Sequence, residues 1–261
     1  MSKIRNAFQQ GKACIPFITC GDPDLETTAA VVRQAAVSGA DLVILGIPFS
    51  DPTAEGPVIQ EASIRALKGG VTADKIFEMV KELRRDMKLP LAVMTYANVV
   101  FSYGTDRFLA ACGQIGIDGL IVPDIPYEEK EEILPSCRTH GVDLISLAVP
   151  AAESRIARIA GEAEGFLYIT SSLGAAEAKE GIVTDLGEIV SVAKQNTDIP
   201  CVIGFEIASP EQAARAARVS DGVIIESGIV TIVGRYQKDA APKAGEYIKQ
   251  MKAAMEPAVS R

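Results

Sequence analysis

The chain has 261 residues, 48% hydrophobic and 23% charged, a composition that excludes intrinsic disorder and predicts a large core. Its 26 basic and 34 acidic residues leave a net charge of −8 with no basic cluster, and no apolar run reaches the roughly 18 residues of a membrane span, so neither nucleic acid nor a membrane is an expected partner. Five scattered cysteines without a CxxC spacing indicate neither disulfides nor a zinc site, and they favour a cytoplasmic protein.

Short aliphatic runs alternate along the chain with amphipathic stretches, the pattern of successive β-α units around a parallel sheet. The spacing of Ile76, Val80 and Leu83 predicts one helix, and Ser209-Pro210 predicts the start of another. We predict eight strands, at residues 14–19, 42–47, 91–96, 119–123, 144–149, 166–170, 201–205 and 222–225. Eight units of about 33 residues fill the chain, which predicts an α/β fold with one domain at 1–261, a single (β/α)8 TIM barrel.

Functional residues of such barrels lie at the carboxyl ends of the strands. Four segments at these positions carry distinctive motifs: GDPD at 21–24, GIPFSDPTAEGPVIQ at 46–60, MTYAN at 94–98 and VPDIP at 122–126. In this order and at this spacing they resemble the tryptophan synthase α subunit family across essentially the whole chain. The resemblance implies cleavage of indole-3-glycerol phosphate to indole and glyceraldehyde 3-phosphate, with indole passed to a β subunit and no metal or organic cofactor.

The chain departs from that family where the chemistry takes place. The family pattern has a glutamate as general acid/base in the second strand, and Ile44 stands there in this chain; Glu55 replaces the loop aspartate. Three glycines of the family's phosphate site correspond to Glu177, Glu206 and Glu226. A carboxylate repels a phosphate dianion, so we expect phosphate binding, and with it the family activity, to be lost.

Several residue types are replaced together while neighbouring motifs are intact, and engineering is the simplest account of that pattern. A divergent natural homologue and a variant altered only for stability or binding are the alternatives. The hypothesis is a pocket rebuilt around a glutamate general base, Glu206 or Glu226 with Glu55, for proton abstraction from a small aromatic substrate. The expected pocket residues are Phe17, Ile44, Met94, Ile121, Asp124, Tyr168, Thr170, Phe205 and Ser227.

Purely structural roles are alternatives for these residues. Met94 and Ile121 are equally well explained as barrel core, and each glutamate as a solvated side chain at the rim. One alternative function is a weakly active α subunit, of which Glu55, Asp124 and Tyr168 are remnants. Another is a carboxylate cluster of Glu55, Glu206 and Glu226 that binds a hard divalent cation or another ligand.

Overall fold

Parallel strands alternate with helices in the computed structural model, which describes residues 3–170, 185–204 and 207–256. The strands in this part are β1 (Ala13–Thr19), β2 (Val43–Gly46), β3 (Leu91–Met94), β4 (Gly119–Ile121), β5 (Asp143–Leu144), β6 (Leu147–Ala148), β7 (Leu167–Thr170), β8 (Cys201–Gly204) and β9 (Gly222–Ile225). The helices are α1 (Leu25–Val37), α2 (Pro57–Lys68), α3 (Ala73–Leu83), α4 (Ala97–Tyr103), α5 (Thr105–Ile115), α6 (Leu134–His140), α7 (Glu153–Gly161), α8 (Leu186–Lys194), α9 (Pro210–Val219), α10 (Ser227–Tyr236) and α11 (Ala240–Met255).

The sheet closes through its fifth strand, which is broken in two. The strand order is β5-β4-β3-β2-β1-β9-β8-β7-β6, so β5 and β6 stand at the two ends of one parallel sheet. Only Ile145 and Ser146 separate them, and the Ile145 N–H donates to Leu120 O while Ser146 O accepts from the Tyr168 N–H. Strand five therefore joins both edges, and the predicted (β/α)8 barrel is confirmed.

Side chains alternate between two cores along each strand. Ile15, Phe17 and Ile44 belong to a cluster inside the barrel, whereas Ile18 and Leu45 pack in the outer layer between the strands and the helices. Because successive side chains of a strand point to opposite faces, the inner set recurs at every second residue. This alternation places Ile44 inside the barrel, as the sequence predicts.

The amino end of the barrel is plugged by the N-terminal segment. A short 3-10 helix, Ile4–Phe8, buries Ile4 and Ala7 in the inner cluster, and the Phe8 ring lies 6.0 Å from the Phe166 ring. The opposite end, where the strands run into the loops, holds the cavity described below.

Helix starts follow their local sequence signals. The Thr72 side chain accepts from the Lys75 N–H at the start of α3, and Ser209 with Gln212 forms a capping box before α9. In the part of the chain described, no helix is both long and apolar enough to cross a bilayer. The strands end one or two residues earlier than the apolar runs suggest at β2, β3 and β4, because those runs continue into buried loop residues such as Ile47 and Tyr96.

Candidate active site

A cavity of about 200 Å³ opens at the carboxyl end of the barrel. Its walls come from the ends of several strands and from the loop before α2, and most of them are apolar. Residues that the sequence singled out and that line this cavity are Phe17, Glu55, Met94, Tyr168, Thr170, Glu226 and Ser227. Strand ends far apart in the chain thus meet around one space.

Other candidates lie elsewhere. Ile44 and Ile121 face the barrel interior, but both are completely buried in the inner core and do not line the cavity. Asp124 is exposed and accepts a 2.9 Å hydrogen bond from the Ala97 N–H at the start of α4, beside a second cavity of about 280 Å³. Glu177, Phe205 and Glu206 fall outside the described residues.

Glu226 follows β9 and turns its carboxylate into the barrel. The side chain is only 9% exposed, and the Tyr168 hydroxyl donates a 2.7 Å hydrogen bond to its Oε1. Burial raises the pKa of Glu226, and the hydrogen bond from Tyr168 partly opposes this rise. Burial, followed by the charge of Glu226, raises the pKa of Tyr168 well above its usual range, so the phenol keeps its proton and acts as a donor.

Glu55 lies on the loop between β2 and α2 and faces the same cavity. The Tyr96 hydroxyl accepts a 2.9 Å hydrogen bond from the Ala54 N–H, and the Gln60 side chain donates to Glu55 O at 2.8 Å, so the loop is held on both sides. Glu55 Oε2 is buried and has no hydrogen-bond partner among the described residues. Burial, and then the charge of Glu226, raises the pKa of Glu55 to about 7.

Two glycines make room for the aromatic rings of the site. A Cβ atom on Gly204 would lie 2.6 Å from Tyr168 Cε2, and one on Gly46 would lie 2.4 Å from Phe17 Cζ. Both distances are far below van der Waals contact, so any side chain at these positions would displace a ring. The hydroxyl of Tyr168 therefore reaches Glu226 only because β8 ends in a glycine.

Sequence reasoning missed some of the walls and supports of the cavity. Ile59 and Leu147 line it, and Tyr96 holds the Glu55 loop. Tyr96 lies within the MTYAN motif, so its place at a strand end was a usable signal. Leu147 lies two residues after Ile145, which also faces the barrel interior, so the two-residue period of strand five was a usable signal for it as well.

The two carboxylates provide an acid and a base together. The hydrogen bond from Tyr168 favours the charged form of Glu226 against the effect of burial, while the pKa of Glu55 is raised to about 7, so Glu55 is close to half protonated near that pH. A pair of this kind can donate a proton at one atom of a substrate and remove one at another. The site therefore suits general acid/base catalysis.

The described residues do not assemble a metal site. No group of three or more histidine, cysteine, aspartate or glutamate side chains in this part of the chain could hold a metal ion. His140 is also remote from the cavity and contacts Asp106 at 2.9 Å on the helical surface. The cation alternative would need Glu206, which lies outside the described residues.

Glu55 makes the free energy of unfolding depend on pH. The folded chain raises its pKa from 4.5 to about 7, so its contribution to stability is complete below pH 4.5 and is lost as the pH rises through 7. Because Glu55 is partly exposed, we expect the free energy of unfolding, measured with urea, to fall by about 2 kcal/mol between about pH 5 and about pH 8. In Glu55→Gln the decline should be smaller, because only Glu226 of the pair is then left to contribute to it, whereas Glu61→Gln on the exposed face of α2 should retain the full decline. An unchanged decline in Glu55→Gln would contradict the assignment.

Comparisons with known proteins agree with the fold. The family model described as "Tryptophan synthase alpha chain" matches residues 4–259. The tryptophan synthase alpha chain of Lacticaseibacillus casei is 42% identical over 256 residues, covering 98% of this chain and 96% of the relative. The corresponding protein of Shouchella clausii is 44% identical over 233 residues, covering 89% and 87%. A crystal structure of tryptophan synthase subunit alpha from Legionella pneumophila has a TM-score of 0.87 at 33% identity and covers 98% of both chains. The chain therefore belongs to the tryptophan synthase alpha chain family.

Proposed function

We propose that this barrel catalyses proton transfer on a small aromatic substrate that lacks a phosphate group, with Glu226 as general base and Glu55 as its acidic partner. The observation that carries the proposal is the hydrogen bond from Tyr168 to Glu226 beside Glu55 in one largely apolar cavity. Such surroundings raise carboxyl pKa values toward neutrality, where a base is effective. The reaction requires no metal or organic cofactor.

The carboxylate at Glu226 compensates for the one that the second strand lacks. The family resemblance implies a catalytic glutamate at position 44, and the isoleucine found there cannot transfer a proton. Glu226 enters the barrel from the end of β9 instead and adjoins Glu55, which keeps the loop position of the family aspartate. A pair of carboxylates is thus rebuilt from a different strand.

The same residue argues against a phosphorylated substrate. Glu226 occupies a position where the family pattern has a glycine, and its carboxylate faces the cavity. Two charges a few ångströms apart repel each other by about 4 kcal/mol at an intermediate dielectric. Glu177 and Glu206 replace two further glycines of the phosphate-site pattern and act in the same direction.

A second candidate function is slow cleavage of indole-3-glycerol phosphate. Membership of the family favours it, as does the retention of a loop carboxylate at Glu55 and of Tyr168 in the cavity. Both candidates hold whether the substitutions were engineered, as their pattern suggests, or arose by natural divergence, since each depends only on the side chains present.

A pH-rate profile tests the proposed function. With an activated aromatic carbon acid as substrate, kcat/KM should rise as the catalytic carboxyl loses its proton and then level off. The midpoint should lie above the ~4.3 of a free glutamate, because burial opposes ionisation of Glu226. A rate that follows only the hydroxide concentration, or none above background, would contradict the proposal.

Binding of a β subunit is a separate prediction. The family resemblance places the docking surface near the second and sixth barrel loops, and Asp51, Pro52 and the 123–126 turn of this chain match the family pattern. We expect co-elution with a tryptophan synthase β subunit in size-exclusion chromatography. Elution of the two proteins at their separate volumes, at concentrations where a standard α subunit co-elutes, would refute it.

A cytoplasmic location is also part of the proposal. All five cysteines are buried and free of disulfide bonds, which suits a reducing compartment.

A further inference from the structure

The charges of the cavity are unbalanced. Two carboxylates, Glu55 and Glu226, line it, while no lysine, arginine or histidine does so among the described residues. The one described donor to this pair is the Tyr168 hydroxyl, which donates a hydrogen bond to Glu226 Oε1. Glu55 Oε2 is buried without a partner in the same part of the chain. A buried acceptor left unpaired is costly, so a donor with positive charge would gain most at this point.

The rest of the cavity is suited to an apolar body. Phe17, Met94 and Leu147 line it from the strands of the barrel, and Ile59 lines it from the first turn of α2. A flat ring can pack against these side chains while a polar end reaches the carboxylates. The hydroxyls of Thr170 and Ser227 add acceptor oxygens near the polar end.

We propose that the cavity binds a protonated primary amine on a small aromatic body, with the ammonium group donating to Glu55 and Glu226 and the ring against Phe17 and Met94. The inference rests on the proposed function in assigning the substrate to this cavity, and it adds the chemical class of that substrate. It is tested by binding, independently of turnover.

An ammonium group fits this cavity better than a hydroxyl group, an anion or a divalent cation. It has three donor protons and one positive charge, whereas an alcohol has one donor and no charge. A carboxylate or phosphate would add to the negative charge already present. A hard divalent cation prefers six to eight oxygen ligands, and the described part of the cavity offers two carboxylates.

Binding of a cation should be coupled to proton release. The ionisable groups that face Glu55 are Glu226 after β9, Tyr168 on β7 and Tyr96 after β3, and Asp124 acts on Tyr96 in turn. Both tyrosines have a pKa raised by burial and stay protonated, so the carboxyls are the groups that titrate. An ammonium beside Glu55 lowers its pKa, so binding below pH 7 releases a proton from Glu55.

The first experiment compares three indole ligands by isothermal titration calorimetry. Tryptamine carries an ammonium, tryptophol carries a hydroxyl on the same two-carbon arm, and indole-3-acetate carries a negative charge. We expect tryptamine to bind at least about tenfold more tightly than tryptophol, and indole-3-acetate to bind more weakly than either. At about pH 6, buffers of different ionisation enthalpy should reveal release of a proton with tryptamine alone. Equal affinity for tryptamine and tryptophol would overturn the inference.

Variants assign the effect to the two carboxylates. Glu55→Gln and Glu226→Gln should each weaken tryptamine binding about tenfold or more while tryptophol binding is retained, which also shows that the cavity is intact. Glu61→Gln removes the same charge from the exposed surface and should change neither affinity. Loss of the tryptamine preference in Glu61→Gln, or its survival in both cavity variants, would place the amine elsewhere and overturn the inference.

The two proposals fail in distinguishable ways. Preferential binding of tryptamine together with a carbon-acid rate that never exceeds background removes the proposed function and leaves the amine site. A pH-dependent carbon-acid activity without any preference for tryptamine removes the amine site alone.

Discussion

Replacing Glu226 with glutamine is expected to lower kcat/KM for an activated aromatic carbon acid by about 10²- to 10⁴-fold, the range that a positioned general base contributes. The amide has the same shape, and its oxygen can still accept the hydrogen bond from Tyr168, so the cavity should keep its form. The loss would then come from the missing base. The pH-dependent rise of kcat/KM should disappear with it.

Three control variants make this result specific. Glu61→Gln should leave the rate unchanged, and Glu55→Gln should keep the pH-dependent rise of kcat/KM that Glu226 provides. Glu206→Gln tests the other glutamate that the sequence predicts as a general base. Full activity in Glu226→Gln with loss in Glu206→Gln would move the base to Glu206, and full activity in both would refute a glutamate base.

Because an amide side chain carries no charge, Glu226→Gln should also be slightly more stable than the parent chain at alkaline pH.

Indole-3-glycerol phosphate is expected to be cleaved at least about 10³-fold more slowly than by a family member with the usual catalytic residues. Two effects combine in this loss, because the second strand provides no proton-transfer group and Glu226 repels the phosphate. An indole-release assay at saturating substrate measures the first effect, and the dependence on substrate concentration measures the second. Indole release near the rate of such a family member would refute both.

Restoring one carboxylate is not expected to rescue the reaction. In Ile44→Glu the new side chain would sit in a fully buried position, and the phosphate would still meet Glu206 and Glu226. Burying an unpaired carboxylate costs several kcal/mol, so the thermal stability of Ile44→Glu should be measured beside its activity to show that the variant is folded. Ile44→Glu combined with Glu206→Gly and Glu226→Gly should recover far more activity than Ile44→Glu alone. Rescue by the single substitution would show that phosphate binding was never impaired.

Local sequence patterns were sufficient to predict the barrel and the direction of many side chains. Alternating apolar runs indicated the strands, and their two-residue period predicted that Ile44, Tyr168 and Glu226 point inward. The capping residue Ser209 marked a helix start, because such a cap acts within three residues of itself. The order of the β-α units also predicted which loops share the carboxyl end, since parallel strands all point the same way.

Contacts between distant segments were decided only by the tertiary structure. Tyr168 and Glu226 are 58 positions apart, and their hydrogen bond depends on the glycine at 204 that admits the phenol ring. Leu147 points inward on the same two-residue period as Ile145, but only the tertiary structure shows that it lies in the cavity wall and that the predicted strand at 144–149 divides into β5 and β6. Ile44 and Ile121 point inward as the period requires, yet their depth in the barrel places them in the core. Direction follows from the local backbone period, whereas depth, partners and pKa follow from how neighbouring strands are staggered and packed, and no local pattern encodes that arrangement.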